Sequence, residues 1–223
     1  VDFTPLVAAS IGPYGAMLHD GSEYKGSYGV SADTLRDFHE SRLQLFDASN
    51  ADVLAVETIP SVVEAGVLVE LLAECDLPAW ISFSCKDGTH LVDGTPVAEV
   101  AGLYRNHPTV AAVGLNCTPP QYAVELVRRF CESAPGKAVI AYPNSGETWN
   151  AEQGVWIGTS KPIDYARAAS EWVAAGARVF EGSYQTASQE QLYIEPQASY
   201  RSECGCPLPL DAGLRARQQR FAN

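Results

Sequence analysis

The sequence predicts an α/β fold built on a parallel sheet, and three observations point to it. Short apolar runs rich in β-branched residues alternate with stretches of helical periodicity over residues 5–182. That alternation calls for parallel strands joined by right-handed crossovers. Polar and reactive residues recur where the apolar runs end, at Tyr14, Glu57, Cys85, Asn116, Cys117, Asn144 and Glu147. In a parallel barrel those carboxyl ends share one mouth.

The elements follow in order. Residues 5–11 read as a strand closed by Gly12-Pro13-Tyr14-Gly15, with a long polar loop running on to about Gly29. Ser31 suits the N-cap of a helix that carries Leu35, Phe38, Leu45 and Phe46 on one face. A second strand, 51–60, carries Glu57 near its end and leads into a helix over 61–74. A third strand at 79–85 is followed by a helix at 96–105.

The fourth strand, Val110-Ala111-Ala112-Val113-Gly114-Leu115-Asn116-Cys117, reads as buried on both faces and stops just before Thr118-Pro119-Pro120. Its helix, 120–133, buries Ala123, Leu126, Val127 and Phe130. A fifth strand begins at Ala138 and runs into Tyr142-Pro143-Asn144-Ser145-Gly146-Glu147, followed by a polar loop bearing Trp. A helix over 163–175 and a strand over 177–182 complete six βα units. We therefore expect one barrel-type domain over 1–182 and a divergent tail over 183–223 that could complete the sheet.

Composition narrows the function. The 223 residues carry a formal net charge of -12, so a polyanion-binding face would oppose the overall field and nucleic acid is not an expected partner. No apolar run approaches the ~18 residues a membrane span needs, so no membrane partner is expected. The chain opens on Val1 rather than Met, and its numbering is expected to begin inside a longer or processed protein. Six cysteines without regular spacing suggest reduced thiols in a cytoplasm. Composition does not distinguish monomer from homo-oligomer.

Individual residues keep two readings. Cys117 could be a thiol for chemistry at a strand end or a small buried hydrophobe. Glu57 could bind an ammonium group, act as an acid or base, or cap a helix. Asn144 could orient a substrate or simply form a turn. His19, His39, His90 and His107 show no metal-ligand spacing and read as surface residues. Cys204 and Cys206 could bind a soft metal, although zinc sites ordinarily use wider spacing. No P-loop or dinucleotide fingerprint is present.

Four ordered motifs carry a resemblance: Ser10-Ile11-Gly12-Pro13-Tyr14-Gly15 with Asp20-Gly21-Ser22-Glu23-Tyr24, Val56-Glu57-Thr58-Ile59-Pro60, Val113-Gly114-Leu115-Asn116-Cys117, and Tyr142-Pro143-Asn144-Ser145-Gly146-Glu147. Together they resemble the homocysteine S-methyltransferases, most closely the branch using S-methylmethionine or S-adenosylmethionine. The resemblance implies a (β/α)8 TIM barrel with zinc at its mouth, holding homocysteine as a thiolate that attacks the methyl of a sulfonium donor to give methionine.

Cys117 would be one zinc ligand and, with Glu57, a catalytic residue, Glu57 holding the ammonium group. Tyr14, Asn116, Asn144 and Glu147 would bind substrate. The family's Gly-Gly-Cys-Cys ligands are replaced here by Glu181-Gly182-Ser183-Tyr184, so Cys204 and Cys206 are the remaining candidates to complete the metal site. The first strand matches the family's third, which leaves an eight-stranded barrel two βα units short. The alternatives are a remnant that binds an amino acid or sulfonium ligand without reacting it, and a zinc-free enzyme using Glu57 as base.

Overall fold

A computed structural model describes residues 6–146, 148–150, 155–157, 162–180 and 193–194. Strands β1 (Ala8–Ile11), β2 (Val53–Ile59), β3 (Ala79–Phe83), β4 (Val110–Asn116) and β5 (Ala138–Tyr142) lie side by side in chain order, each parallel to the next. A two-stranded antiparallel ribbon, β6 (Thr148–Asn150) with β7 (Val155–Ile157), stands apart from them. Strand β8 (Val179–Phe180) continues the sheet parallel to β5, and β9 (Tyr193–Ile194) adds to it antiparallel. Among the described residues six strands run parallel, as the alternation predicted, in an open stretch of the barrel-type sheet that the resemblance implied.

The connecting helices are α1 (Tyr14–Leu18), α2 (Ala32–Asp47), α3 (Val62–Leu72), α4 (Val97–Tyr104), α5 (Ala123–Ser133) and α6 (Pro162–Ala175). Ser31 caps α2 as expected, its Oγ accepting from Thr34 N at 3.2 Å, and Ser61 caps α3 in the same way through Glu64 N at 3.3 Å. Within the long loop after β1 lie α1 and a 3-10 turn at Ser22–Tyr24, two short elements that propensity alone did not signal.

Period-two alternation divides the strand residues between two layers. Leu54, Val56, Ile81, Phe83, Val113 and Leu115 face the helices and join Leu68, Leu72, Val100, Tyr104, Leu126 and Phe130 in the main core. Phe83 stacks on Phe130 with centroids 6.0 Å apart, and the buried Tyr104 hydroxyl donates to Ala65 O at 2.6 Å. Each such side chain taken out of water contributes about 1.5–3 kcal/mol. On the opposite face Val53, Ala55, Trp80, Ala112, Ala138, Ile140 and Val179 form a smaller apolar floor.

Strands β4 and β5 approach so closely that a Cβ at Gly114 would lie 1.8 Å from Ile140 O. Among the described residues β1 pairs on one side alone. Against its outer side lies an open depression of about 430 Å³ lined by Ser10, Ile11, Gly12, Pro13, Ala16, Met17, His19, Arg42 and Phe46.

Two expectations need correction. Leu45 is 68% exposed, and α2 buries Leu35, His39 and Leu43 instead, because the core-facing stripe runs one step round from the one predicted. His39 and His107 are buried rather than on the surface, their Nε2 atoms meeting Glu64 Oε1 at 2.8 Å and Val69 O at 2.8 Å. No helix among the described residues is long and apolar enough to cross a membrane.

Candidate active site

Above the apolar floor the inner face turns polar. Alternation brings Ser10, Glu57, Ser82, Asn116 and Tyr142 from five adjacent strands into one hydrogen-bonded row. Glu57 Oε1 accepts from Ser10 Oγ at 2.5 Å and Oε2 from the Tyr142 hydroxyl at 3.0 Å. Tyr142 in turn accepts from Trp80 Nε1 at 3.2 Å and lies 2.6 Å from Ser82 Oγ. Burial first, and then the neighbouring Glu57 charge, hold the Tyr142 phenol far above its ordinary range, so it stays a proton donor.

Asn116 is buried and fully engaged. Its Oδ1 accepts from Thr58 N at 2.8 Å and Ser82 Oγ at 2.9 Å; its Nδ2 donates to Thr58 Oγ1 at 2.7 Å and to Cys117 Sγ at 3.4 Å. Thr58 Oγ1 also donates to Cys117 Sγ, at 3.5 Å. Both Thr58 (φ 63°) and Cys117 (φ 45°) sit in the left-handed region, where a β-branched residue is a true outlier. Strain of this kind collects at functional sites when surrounding contacts over-determine it.

Those contacts are present. Thr118 Oγ1 accepts from Cys85 N at 3.0 Å and donates to Asn116 O at 2.8 Å, and Ser84 Oγ reaches Cys117 O at 3.4 Å. Asn144 N donates to Thr118 O at 2.9 Å, which draws the end of β5 to the same mouth. Burial raises the Cys117 thiol above its ordinary range, as do the charges of Glu57 and Glu23, against a hydrogen bond from Thr58 that lowers it. Without a metal the group is a thiol at neutral pH.

The wall beside this row is the loop after β1. Glu64, fully buried, takes Tyr14 N at 2.6 Å and His39 Nε2 at 2.8 Å on Oε1, and the Tyr28 hydroxyl at 2.9 Å on Oε2. Ser61 and Glu64 have the spacing of a helix-capping box, yet the carboxylate is taken up by the loop. Tyr14 packs its ring on Tyr28 at 5.5 Å and edge-on to Phe38 at 5.1 Å, so it helps to anchor the loop.

Of the residues expected at the site, Glu57, Asn116 and Cys117 converge, with Asn144 on the adjoining backbone. Glu147, Cys204 and Cys206 lie outside the described residues. Sequence reasoning missed Thr58, Ser82, Trp80 and Glu64. Ser82 was legible as a polar residue on the inner face of an otherwise apolar strand, whereas Thr58 depends on a backbone angle that no pattern reveals.

A sequence profile described as homocysteine S-methyltransferase matches residues 2–190. The chain belongs to the homocysteine S-methyltransferase family. Homocysteine S-methyltransferase YbgG of Bacillus subtilis is 46% identical over 183 residues, which is 82% of this chain and 58% of that protein. Homocysteine S-methyltransferase 2 of Arabidopsis thaliana is 41% identical over 187 residues, 81% of this chain and 56% of the relative. Among solved structures, the metallated form of the homocysteine methyltransferase MmuM from Escherichia coli superposes with a TM-score of 0.68 at 38% identity, covering 81% of this chain and 57% of the other. The chain therefore spans a little over half the length of these homocysteine S-methyltransferases.

A relative solved in metallated form makes a metal the natural question for this mouth. Among the described residues no group of three or more His, Cys, Asp or Glu side chains could hold a metal ion. The hydrogen-bond partners of Cys117 Sγ are the Thr58 hydroxyl and the Asn116 amide, which are poor ligands for zinc. The described residues thus offer one soft ligand and do not by themselves make a zinc site.

Proposed function

We propose that this chain carries the site for transfer of a methyl group from a sulfonium donor, S-methylmethionine or S-adenosylmethionine, to the sulfur of homocysteine, giving methionine. The observation that supports this reading most is Cys117: a thiol held in a strained backbone conformation at the carboxyl mouth, oriented by Thr58 and Asn116 beside Glu57. In the reaction the homocysteine thiol gives up its proton to solvent and its sulfur attacks the methyl carbon. The new carbon–sulfur bond takes the place of the bond to the positive sulfur, which leaves as a neutral thioether with the bonding pair.

The residues divide the work. Glu57, kept as a hydrogen-bond acceptor by Ser10 and Tyr142, faces the ammonium group of the amino acid. Asn116 has all four of its hydrogen bonds within the protein and acts by positioning Thr58 and Cys117. Tyr14, Asn144 and Glu147 are the further residues we assign to substrate binding. We assign Cys117 as a metal ligand, with Cys204 and Cys206 as the thiolates that would complete the set. Cys75, Cys85 and Cys117 carry free thiols, in keeping with a reducing, cytoplasmic setting.

The test is methionine formation from homocysteine and S-methylmethionine by the purified chain, alongside its metal content. About one zinc per chain, lost in Cys117→Ser and in the Cys204→Ser/Cys206→Ser double variant together with turnover, is the expected result. The lack of a complete metal group among the described residues favours one second reading, a chain that binds the amino acid or sulfonium compound without reacting it. Ligand binding with neither zinc nor product would establish that reading.

A further inference from the structure

The loop after β1 places one more charged group at the mouth. Its 3-10 turn, Ser22–Tyr24, is built tightly: Ser22 N donates to Asp20 Oδ1 at 2.9 Å, and Lys25 N and Gly26 N both donate to Ser22 O. The turn is wedged between two elements. A Cβ at Gly15 would fall 2.5 Å from Glu23 N, and one at Gly26 would fall 2.8 Å from Pro60 O, just past the end of β2. On either side of it, Tyr14 and Tyr28 are tied to the buried Glu64. The turn is thereby held over the strand end that carries Glu57 and Thr58.

Within it Glu23 Oε2 is buried and has no hydrogen-bond partner. A buried carboxylate oxygen without a donor is costly, and such groups persist where a ligand supplies the missing charge. No Lys, Arg or His forms an ion pair with Glu23 among the described residues. The electrostatic environment places it at the site, since Cys117 and Tyr24 both feel its charge. Glu57, the other carboxylate there, already has a donor on each oxygen. Two carboxylates thus stand at the mouth, one with a hydrogen-bond donor on each oxygen and room to accept more, the other with a buried oxygen that has no donor.

We propose that Glu23 recognises the positively charged sulfur of the methyl donor, its unpartnered buried oxygen facing the cation, with the exposed ring of Tyr24 alongside. This rests on the reading of the chain as a sulfonium-dependent methyl transferase. A sulfonium centre carries full positive charge and no N–H or O–H to donate, so it is matched by a bare carboxylate and an aromatic face. An ammonium group donates three hydrogen bonds and is better served at the polar row around Glu57. The arrangement also confers selectivity for the charged donor over its demethylated thioether product, whose neutral sulfur leaves Glu23 uncompensated.

Calorimetric titration of the full chain with S-methylmethionine and with methionine, the same skeleton with a neutral sulfur, tests the assignment. Wild type is expected to favour the cation by about tenfold or more. Glu23→Gln should lose that preference while its affinity for methionine moves by less than about twofold, and Glu23→Asp, which keeps the charge, should retain a preference. A cation preference unchanged in Glu23→Gln, or absent from wild type, would overturn it. Methionine formation, followed separately, keeps the two proposals apart. Product with an unaltered preference in Glu23→Gln removes the role of Glu23 alone. A preference lost in Glu23→Gln, from a wild type that makes no product, removes the methyl-transfer reading alone.

Discussion

Thr58 Oγ1 and Cys117 Sγ meet at 3.5 Å across the end of β3, each carried on a left-handed backbone at the end of its own strand. Neither conformation is favourable by itself, and the cost is of order 1–3 kcal/mol for each. Asn116 couples them by bonding both Thr58 N and Thr58 Oγ1 while donating to the sulfur. Thr58→Val keeps the branched shape but leaves the buried Asn116 Nδ2 short of an acceptor. We expect a loss of about 1–3 kcal/mol in denaturant unfolding and a fall of about tenfold or more in methyl transfer. Thr58→Ser should restore both, and a Thr58→Val variant that matches wild type would show that the hydroxyl does not position the thiol.

Gly114 is an obligatory glycine for a different reason. Its missing Cβ is what allows Ile140 O to approach β4, and an alanine there would bring the two atoms within 1.8 Å. Gly114→Ala should force β4 and β5 apart and cost more than about 3 kcal/mol. Loss of the cooperative thermal transition, or a chain recovered only as aggregate, is the expected observation.

Removing Glu64 should loosen the loop rather than the sheet. Glu64→Ala leaves Tyr14 N, Tyr28 OH and His39 Nε2 without their acceptor in a buried site. A destabilisation of about 3–5 kcal/mol is expected. Hydrogen exchange should rise most over residues 14–28, and uniform acceleration along β2 to β5 would contradict the assignment of Glu64 as the loop's anchor.

Asp87 predicts an acid limb. Burial raises its carboxyl, but hydrogen bonds from the side chains and backbone of Thr89 and His90 lower it more, leaving it at about 2 against an ordinary 3.8. The folded chain therefore holds this carboxylate ionised where the unfolded chain takes up a proton. Its stabilisation is present above about pH 3.8 and is lost as the pH falls toward 2. Asp87→Asn should unfold at lower denaturant than wild type at pH 7, and the two curves should converge near pH 2.

Cys117 behaves in the opposite direction in metal-free protein. A thiol raised by burial keeps its proton in the folded chain beyond the ordinary value of 9.0, so its contribution to stability is intact below that pH and is lost above it. Alkylation mapped by mass spectrometry should leave Cys117 largely unmodified at pH 7 and modify it progressively above pH 9. Cys85, buried and pushed up to about 12, should react last. Rapid labelling of Cys117 at pH 7 without metal would mean that the site activates the thiol unaided.

The order of strands, their parallel pairing and the placement of Glu57, Asn116 and Cys117 at strand ends were legible in the sequence, because hydrophobic periodicity and loop punctuation are local properties of the chain. Ser82 was legible in principle from the same period-two alternation. The partners of these residues were not. That the Asn116 carbonyl accepts from both Thr58 and Ser82, that Thr58 turns left-handed to reach the sulfur, and that Glu64 leaves its own helix cap to hold Tyr14, Tyr28 and His39 are contacts between residues 25 to 59 apart. Separations of that size leave no mark in spacing. They are decided when the twist and register of the sheet bring strand ends together, and it is there that buried donors and acceptors find one another.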